Sequence, residues 1–325
     1  MLEVDNLVKK YGDFEAVKGI SFSVEEGEVF GLLGPNGAGK TQTISMLTGV
    51  IQPTSGTARI GGYDIRTRMG EVKKINGLVP QDLALYPTLS ARANLNFFGR
   101  IYGLRGKQLK ERVDDVLRVV ALAERADQAV DKYSGGMKRR VNIGAGLLHH
   151  PRLFFLDEPT VGVDPQSRNQ IFESVQQLNR ERGMSIVYTS HYMEEVELLC
   201  NRVAIIDHGQ IIAMDTIKNL IAMLGGGVIH LGLSRVDDAL LKDLSALPGV
   251  KRTSLAPLPV APANGEAAPQ AKGPIVKIEC ENSQRALVSV VSYLGGHGLG
   301  VTSLETLEPN LESVFLHLTG KSLRE

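Results

Sequence analysis

One segment near the N-terminus, Gly34-Pro35-Asn36-Gly37-Ala38-Gly39-Lys40-Thr41, constrains the fold more than any other part of this chain. An apolar run that fits a buried strand, 28–33, precedes it, and a segment with helical spacing, 41–47, follows it. Glycines let the backbone curl so that successive N–H groups point inward, and the dipole of the helix adds positive charge there. The segment therefore predicts a phosphate-binding loop, and with it the binding and hydrolysis of ATP.

Three side chains that follow the last glycine are candidates for the nucleotide site. We expect Lys40 to reach the β- and γ-phosphates and the Thr41 hydroxyl to bind Mg²⁺. Gln42, the next residue of the helix, is included in the same site. A chance glycine-rich turn is the alternative, but the complete motif between a strand and a helix disfavours it.

Composition excludes several other classes of function. The 325 residues carry 36 Lys and Arg against 36 Asp and Glu, so no net charge attracts nucleic acid. The two cysteines, Cys200 and Cys280, lack the spacing of a metal or redox site. No stretch of about 18 apolar residues is present and the N-terminus does not resemble a signal peptide. We therefore expect another chain to supply any membrane-spanning part.

Two domains are predicted, an α/β domain over 1–224 and a small α+β domain over 225–325. The first alternates strands and helices, as in a mostly parallel sheet with helices packed on it. The second reads βαββαβ, the order of a ferredoxin-like unit. A segment rich in proline and alanine, 256–274, is predicted to be a mobile surface loop. The elements predicted in the second domain are strands over 228–233, 250–255, 275–280 and 301–304, and helices over 236–246, 283–294 and 311–318.

A second motif places two acids at the end of a predicted strand. The apolar run 153–156 is followed directly by Asp157 and Glu158. In a parallel sheet these carboxylates lie at the carboxyl edge, beside the phosphate loop. Asp157 is suited to binding Mg²⁺ through water, and Glu158 to polarising the water that attacks the γ-phosphate. A solvated turn is the alternative, and the phosphate loop makes it the weaker one.

A third motif, Tyr133-Ser134-Gly135-Gly136-Met137, opens a predicted helix over 137–148 and is followed by three cations, 138–140. Cations in the first turn of a helix oppose its dipole, and an incoming polyanion would offset that cost. A serine cap followed by a solvated basic face is the alternative.

In this order, the motifs of 1–220 resemble those of the nucleotide-binding subunit of an ABC transporter, a P-loop NTPase fold. The segment 133–137 is similar to the family's signature sequence, more usually LSGGQ. The resemblance implies that Ser134, Gly135 and Gly136 bind the γ-phosphate of an ATP held by the opposite subunit. It also implies a head-to-tail dimer, most simply a homodimer, with ATP and Mg²⁺ as cofactors. The implied partner is a separate integral membrane permease, which would hold the chain at the cytoplasmic face of the cell membrane.

The same resemblance assigns roles to four further residues. Tyr11 matches the aromatic residue that stacks on adenine, and Gln81 matches the glutamine that contacts Mg²⁺ and links to the permease. Asp164 matches the loop that contacts the opposite subunit, although an Asp-Pro pair also starts many helices. His191 matches the histidine that holds the γ-phosphate and Glu158 in line. Catalysis is thus expected to involve Glu158, His191 and Lys40.

Two sequences are similar to those of ABC-2-type exporters, a group that includes drug-resistance ATPases. They are YSGGMKRR, 133–140, and EPNLESVFLHLTG, 308–320. Drugs, lipid-like molecules and polysaccharides are all candidate cargo. The alternatives are an importer ATPase, an ABC protein that takes no part in transport, and a scaffold that holds ATP without hydrolysing it. The presence of both Glu158 and His191 disfavours the last of these.

Overall fold

The computed structural model describes residues 1–255 and 274–319. Two compact units make up this part of the chain: the first spans Met1–Ile217 and the second begins at Lys218. The assignment of an ATP-binding domain up to residue 224 and an accessory domain after it stays a prediction. All but the last residue of the predicted loop 256–274 lies outside the described residues.

The described residues form strands with the following bounds: β1 Leu2–Tyr11, β2 Phe14–Val24, β3 Val29–Leu33, β4 Ser55–Ile60, β5 Tyr63–Asp64, β6 Asn76–Val79, β7 Leu153–Asp157, β8 Ser185–Ser190, β9 Arg202–Asp207, β10 Gln210–Thr216, β11 Val228–Leu233, β12 Val250–Leu255, β13 Ile275–Cys280 and β14 Val301–Leu307.

The α-helices have the bounds α1 Lys40–Leu47, α2 Met69–Ile75, α3 Ala91–Ile101, α4 Gly106–Val119, α5 Gly135–Leu147, α6 Pro165–Arg182, α7 Met193–Leu199, α8 Ile217–Ala222, α9 Asp238–Ser245, α10 Ser283–Gly296 and α11 Leu311–Thr319. Two short 3₁₀ turns, Ala123–Arg125 and Val130–Lys132, precede α5.

A six-stranded sheet in the order β10-β9-β3-β8-β7-β6 forms the centre of the first unit. Strands β9, β3, β8, β7 and β6 run parallel, and β10 is an antiparallel edge. Every residue of β3, β7 and β8 is buried. Such continuous apolar runs are typical of parallel strands that are covered on both faces. This confirms the α/β fold expected from the sequence.

The register of this sheet brings the carboxyl ends of four strands to one edge. Leu33, the last residue of β3, pairs with Ser190, the last residue of β8. Asp157, the last residue of β7, pairs with Thr189. Strand β6 ends at Val79 beside β7. The loops that follow these strands therefore start side by side, and the predicted phosphate loop, Gln81, Glu158 and His191 follow them.

A second sheet of the first unit is antiparallel, in the order β2-β1-β4-β5. Its buried side chains, such as Leu7 and Ile20, share a core with Phe30 and Leu32 of the central sheet and with Ile44 of α1. This packing fixes α1, and the loop before it, against two sheets at once. Helices α3, α4 and α5 pack on one another.

The second unit has its own four-stranded antiparallel sheet, in the order β12-β13-β11-β14. Helices α9 and α10 pack on it around a core that includes Ile229, Leu231, Ile278 and Val290. The succession of strands and helices is the predicted βαββαβ, and the strand order is that of a ferredoxin-like unit. In the part of the chain that the structure describes, no helix is long and apolar enough to cross a membrane.

Candidate functional site

The predicted phosphate-binding loop connects β3 to α1. Its last glycine, Gly39, has φ 106°, and a Cβ there would lie 2.8 Å from the carbonyl oxygen of Ala16. A residue with a side chain would therefore be strained and crowded at this position. Lys40 is buried, and its ammonium donates to the carbonyl oxygens of Gly34 at 2.7 Å and Pro35 at 3.1 Å. The cation is thus held within the loop, while Asn36 and Gly37 are exposed at its tip.

Three side chains from three different segments meet at the Glu158 carboxylate. Lys40 Nζ lies 3.0 Å from Glu158 Oε1, and both residues are about 5% exposed or less. Gln81 Nε2 donates to Glu158 Oε2 at 3.2 Å. His191 Nδ1 lies 3.4 Å from the same oxygen. The structure therefore brings together four residues that the sequence placed after four different strands. The most distant two, Lys40 and His191, are 151 positions apart.

Glu158 itself adopts a backbone conformation that is uncommon for a residue with a side chain. Its φ is 45°, in the left-handed region. The amide N–H donates to Thr189 Oγ1 at 2.9 Å, which fixes this turn against the end of β8. Backbone strain of this kind persists where the surrounding contacts determine the conformation, and it is common at functional sites.

Asp157 accepts hydrogen bonds from two hydroxyl groups through one oxygen. Thr189 Oγ1 lies 2.8 Å and Thr41 Oγ1 3.3 Å from Asp157 Oδ1. Burial raises the pKa of Asp157, the two hydroxyl groups lower it, and the neighbouring charge of Glu158 raises it again, so that the net direction is upward. The carboxylate is thus held in an environment that favours a nearby cation.

These donors fit a magnesium ion. Thr41 and Asp157 are in direct contact, and Gln81 reaches the same edge through Glu158. Among residues 1–255 and 274–319, no group of three or more His, Cys, Asp or Glu side chains could hold a metal by itself. Mg²⁺ commonly uses one or two protein oxygens, with water and substrate phosphates completing its shell, so one hydroxyl and one carboxylate suffice.

Tyr11 lies at the end of β1 with about half of its side chain exposed. Its hydroxyl donates to Gln42 Oε1 at 2.6 Å, and Lys9 Nζ lies 4.9 Å from the centre of its ring. The ring is therefore an exposed aromatic surface that is tied to the second residue after Lys40. Its stacking on adenine stays a prediction.

The predicted signature segment forms the start of α5. Ser134 caps the helix, and its hydroxyl accepts from the amide of Met137 at 3.2 Å. The preceding Tyr133 is buried, and its hydroxyl donates to the carbonyl oxygen of Arg125 at 2.5 Å. In the described part of the chain, no hydrogen bond or ion pair connects Ser134 with Lys40 or the groups around it.

The two glycines of this segment differ in their surroundings. A Cβ on Gly136 would lie 2.1 Å from both Cβ and Oγ of Ser167, whereas a Cβ on Gly135 would meet nothing nearer than the carbonyl oxygen of Gly162 at 3.6 Å. Gly136 is therefore required by the packing of α5 against α6. Packing places no such demand on Gly135.

Both sequence-based interpretations of the cations at 139 and 140 are wrong. Arg139 and Arg140 are each 6% exposed, so they form neither a solvated basic face nor a site for a polyanion. Arg139 donates to the carbonyl oxygen of Pro80 at 3.0 Å, and Arg140 to those of Val120 and Ala121 at 3.0 and 3.1 Å. Burial lowers the pKa of both guanidinium groups. Their role here is to satisfy backbone carbonyls around α5.

Asp164 caps α6. Its carboxylate accepts from the amide of Ser167 at 2.9 Å, and that hydrogen bond lowers the pKa of Asp164. Pro165 occupies the first turn of the helix, as expected for an Asp-Pro start. The structural role that the sequence suggested is thus present. A contact of Asp164 with an opposite subunit stays a prediction.

Sequence reasoning missed the residues that support this site. Thr189 donates to Asp157 and accepts from the amide of Glu158, and Glu195 receives the hydroxyl groups of Thr160 and Ser190. The available signal was the run of three residues with hydroxyl groups, 188–190, before His191. In a strand the first and third of these lie on one face and the second lies on the other. The pairing of these hydroxyl groups depends on the neighbouring strand and helix, which the local pattern does not reveal.

Known proteins with similar sequences and folds exist. The family model described as ABC transporter matches residues 17–161. The linearmycin resistance ATP-binding protein LnrL of Bacillus subtilis is 46% identical over 100% of both chains. The Nod factor export ATP-binding protein I of Ralstonia nicotianae is 36% identical over 100% of this chain and 95% of its own. A solved structure of cbiO1 from Clostridium perfringens, part of the ABC transporter complex cbiONQ, has a TM-score of 0.63 and 29% identity over 68% of this chain and 90% of its own.

A pair of alanine substitutions tests the distinction between the two glycines of α5. We expect Gly136→Ala to lower the free energy of unfolding by about 1–3 kcal/mol, the usual cost of inserting a methyl group into a packed contact. Gly135→Ala, the matched control, should leave the free energy of unfolding unchanged or slightly raised, since alanine is the better helix former. Denaturant unfolding of both variants measures the difference. Equal stability of the two variants would contradict the packing role of Gly136.

A second prediction concerns the cost of ionised Asp157. Because its folded pKa is raised above the ordinary value of 3.8, stability falls as the pH rises from 3.8 through the folded pKa, and the full cost is present at neutral pH. We expect Asp157→Asn to raise the melting temperature at pH 7 and to abolish Mg²⁺-dependent hydrolysis. The gain in melting temperature should shrink as the pH is lowered towards 3.8. Asp131→Asn, at an exposed position, is the control and should show no such gain.

Proposed function

This chain belongs to the ABC transporter family of ATP-binding proteins, and we propose that it is the energy subunit of an ABC-2-type exporter that works as a head-to-tail dimer. The family assignment makes the chain an ATP-binding ATPase of a transport system. The observation that carries the catalytic proposal is the meeting of Lys40, Gln81 and His191 at the buried carboxylate of Glu158.

The proposed reaction is in-line attack of water on the γ-phosphate of ATP. Glu158 orients this water and accepts its proton, and His191 holds Glu158 and the γ-phosphate in line. Lys40 and the backbone N–H groups of the loop neutralise charge on the phosphates. Mg²⁺, held by Thr41, by Asp157 through water and by Gln81, would supply further charge neutralisation.

The dimer proposal rests on where the signature segment lies. Ser134 and Gly135 are at the exposed start of α5, and their only described polar contacts are within that helix. A helix start with free N–H groups is suited to binding phosphate. If each segment binds the ATP of a second copy, each site is completed by two chains. Ser134, Gly135, Gly136 and Asp164 then contribute from the opposite subunit.

An exposed aromatic cluster supports a membrane partner. Tyr86, Phe97 and Phe98 pack edge to face or tilted, with ring centres 4.9–6.4 Å apart, and Ile101 lies one turn after Phe97 with 64% of its side chain exposed. Tyr86 of this cluster lies only five residues after Gln81, which contacts Glu158. We propose that it receives the permease, at the cytoplasmic face of the membrane.

The proposal of export over import rests on the relatives and on the second unit. The two relatives described above are named for linearmycin resistance and for Nod factor export, and both match this chain over its whole length. Sugar importer ATPases usually carry an all-β C-terminal domain, whereas here two helices cover an antiparallel sheet. We propose drugs, lipid-like molecules or polysaccharides as cargo and leave selection among them to the permease.

Replacing the carboxylate tests the catalytic proposal. We expect Glu158→Gln to keep ATP binding, because Lys40 loses a competing partner, and to lower steady-state hydrolysis by about 10²-fold or more, because an amide is no base. The variant should accumulate as an ATP-bound dimer, measurable by size-exclusion chromatography with light scattering. Glu26→Gln, on an exposed carboxylate, is the control and should behave as wild type. Full turnover by Glu158→Gln would remove Glu158 from its role.

The partner proposal is tested by purification from membranes. The tagged chain, expressed in its host and extracted in mild detergent, should retain an integral membrane protein that mass spectrometry identifies. Phe97→Ala should reduce this recovery severalfold and leave the ATPase rate of the isolated chain unchanged. Val50→Ala, at another exposed apolar side chain, should alter neither. Recovery of no membrane protein with the wild-type chain would contradict the exporter.

A further inference from the structure

Glu195 lies in the first turn of α7 with its side chain only 2% exposed. A buried carboxylate is costly unless hydrogen bonds and opposite charge surround it. Thr160 Oγ1 donates to it at 2.7 Å, and Tyr188 Oη and Ser190 Oγ each donate at 2.9 Å. Arg168 Nε lies 3.5 Å from Glu195 Oε1, the oxygen to which Thr160 donates at 2.7 Å. These contacts satisfy the carboxylate, and they come from three segments besides its own helix.

The donors to Glu195 lie next to the two catalytic side chains along the chain. Thr160 follows Glu158 by two residues, and Ser190 directly precedes His191. One carboxylate thus anchors both backbone segments that carry Glu158 and His191. The distance of 3.4 Å between His191 Nδ1 and Glu158 Oε2 depends on the relative position of these segments.

The alternation of strand β8 separates the two networks. Tyr188 and Ser190 face Glu195, whereas Thr189 between them faces Asp157. Burial and the charge of Glu195 raise the pKa of Tyr188, so the phenol stays a donor. The end of β8 is therefore fixed on both faces, by one acidic residue on each.

Arg168 connects this anchor with the start of α6. Its guanidinium carbon lies 5.2 Å from the centre of the Tyr192 ring, and that ring lies 4.1 Å from the His191 ring. The amide of Tyr192 donates to Ser190 Oγ at 2.9 Å. The two chain neighbours of His191 are therefore both held in place, Ser190 by Glu195 and Tyr192 by Arg168 and Ser190.

We propose that Glu195 is a positioning residue for ATP hydrolysis, which holds the Glu158 turn and the His191 loop in register through Thr160 and Ser190. The inference rests on the proposed catalytic roles of Glu158 and His191. Glu195 contacts no reacting group, so its effect falls on the rate of the chemical step rather than on nucleotide binding. Displacement of a catalytic group by about 1 Å can lower a rate by about 10²-fold.

The test measures kcat and KM for ATP in the full chain with Mg²⁺. Glu195→Gln keeps the volume but leaves a single acceptor oxygen, and we expect kcat to fall about tenfold to a hundredfold with KM changed less than about twofold. Glu194→Gln, an exposed neighbour on the same helix, is the control and should match wild type. An unchanged kcat in Glu195→Gln, or a rise in KM with kcat unchanged, overturns the inference.

Ser190→Ala provides a second test that keeps the carboxylate of Glu195 and removes one of its hydrogen-bond donors. If Ser190 acts through His191, the substitution should lower kcat in the wild-type background and have no further effect in His191→Ala. If Ser190→Ala lowers kcat by the same factor in the wild-type and His191→Ala backgrounds, the role of Ser190 is merely structural and the inference is overturned. Ser185→Ala, at the other end of β8, is the control. Absence of hydrolysis in the wild-type chain contradicts the proposed function itself. Normal hydrolysis in the wild type, in Glu195→Gln and in Ser190→Ala contradicts only the inference.

Discussion

The ion pair between Lys40 Nζ and Glu158 Oε1 joins the phosphate loop to the end of β7 at 3.0 Å, with both side chains shielded from solvent. Burying either charge alone would cost several kcal/mol, so each residue depends on the other for its place. A phosphate that enters the loop brings negative charge to the same ammonium and competes with Glu158 for it. In the proposed function, nucleotide binding and release of the Glu158 carboxylate are therefore linked through one cation, and Gln81 and His191 are the contacts that this carboxylate keeps.

The sheet makes this arrangement possible because the four strands that end at this edge are parallel, and three of them, β3, β7 and β8, are buried at every residue. Parallel register places the ends of β3, β6, β7 and β8 at one edge, and the side chains there come from residues far apart in sequence. Alternation along β8 then assigns neighbouring hydroxyl groups to opposite faces. Thr189 supports Asp157 and the Glu158 amide, and Ser190 supports Glu195. A one-residue shift of β8 would turn Thr189 towards Glu195 and its two neighbours towards Asp157, so each carboxylate would lose its present donors.

Much of this edge was predictable from the sequence, because each motif follows an apolar run and parallel strands end together. Lys40, Asp157, Glu158, Gln81 and His191 were placed in this way. The supporting residues were not, since a buried glutamate in a short helix has no local pattern that distinguishes it from the exposed Glu194 beside it. The interpretations of Arg139 and Arg140 of α5 were wrong for the same reason. Their guanidinium groups reach carbonyls of separate loops, and only the tertiary packing of α5 turns them inward.

The segment from Pro80 to Tyr86 connects the group of side chains around Glu158 to the exposed aromatic cluster. Arg139 holds the carbonyl of Pro80 at one end, and Asn94 holds both the amide and the carbonyl of Tyr86 at the other, at 2.8 and 3.0 Å. Gln81 lies between these anchors and contacts Glu158. Because both ends are fixed to helices that pack on each other, movement of Gln81 away from Glu158 would pull on α5 and α3 together. Under the proposed function, a change at the γ-phosphate is therefore transmitted to Tyr86 and Phe97 as a displacement of helices, and this displacement acts on the permease that we propose to dock there.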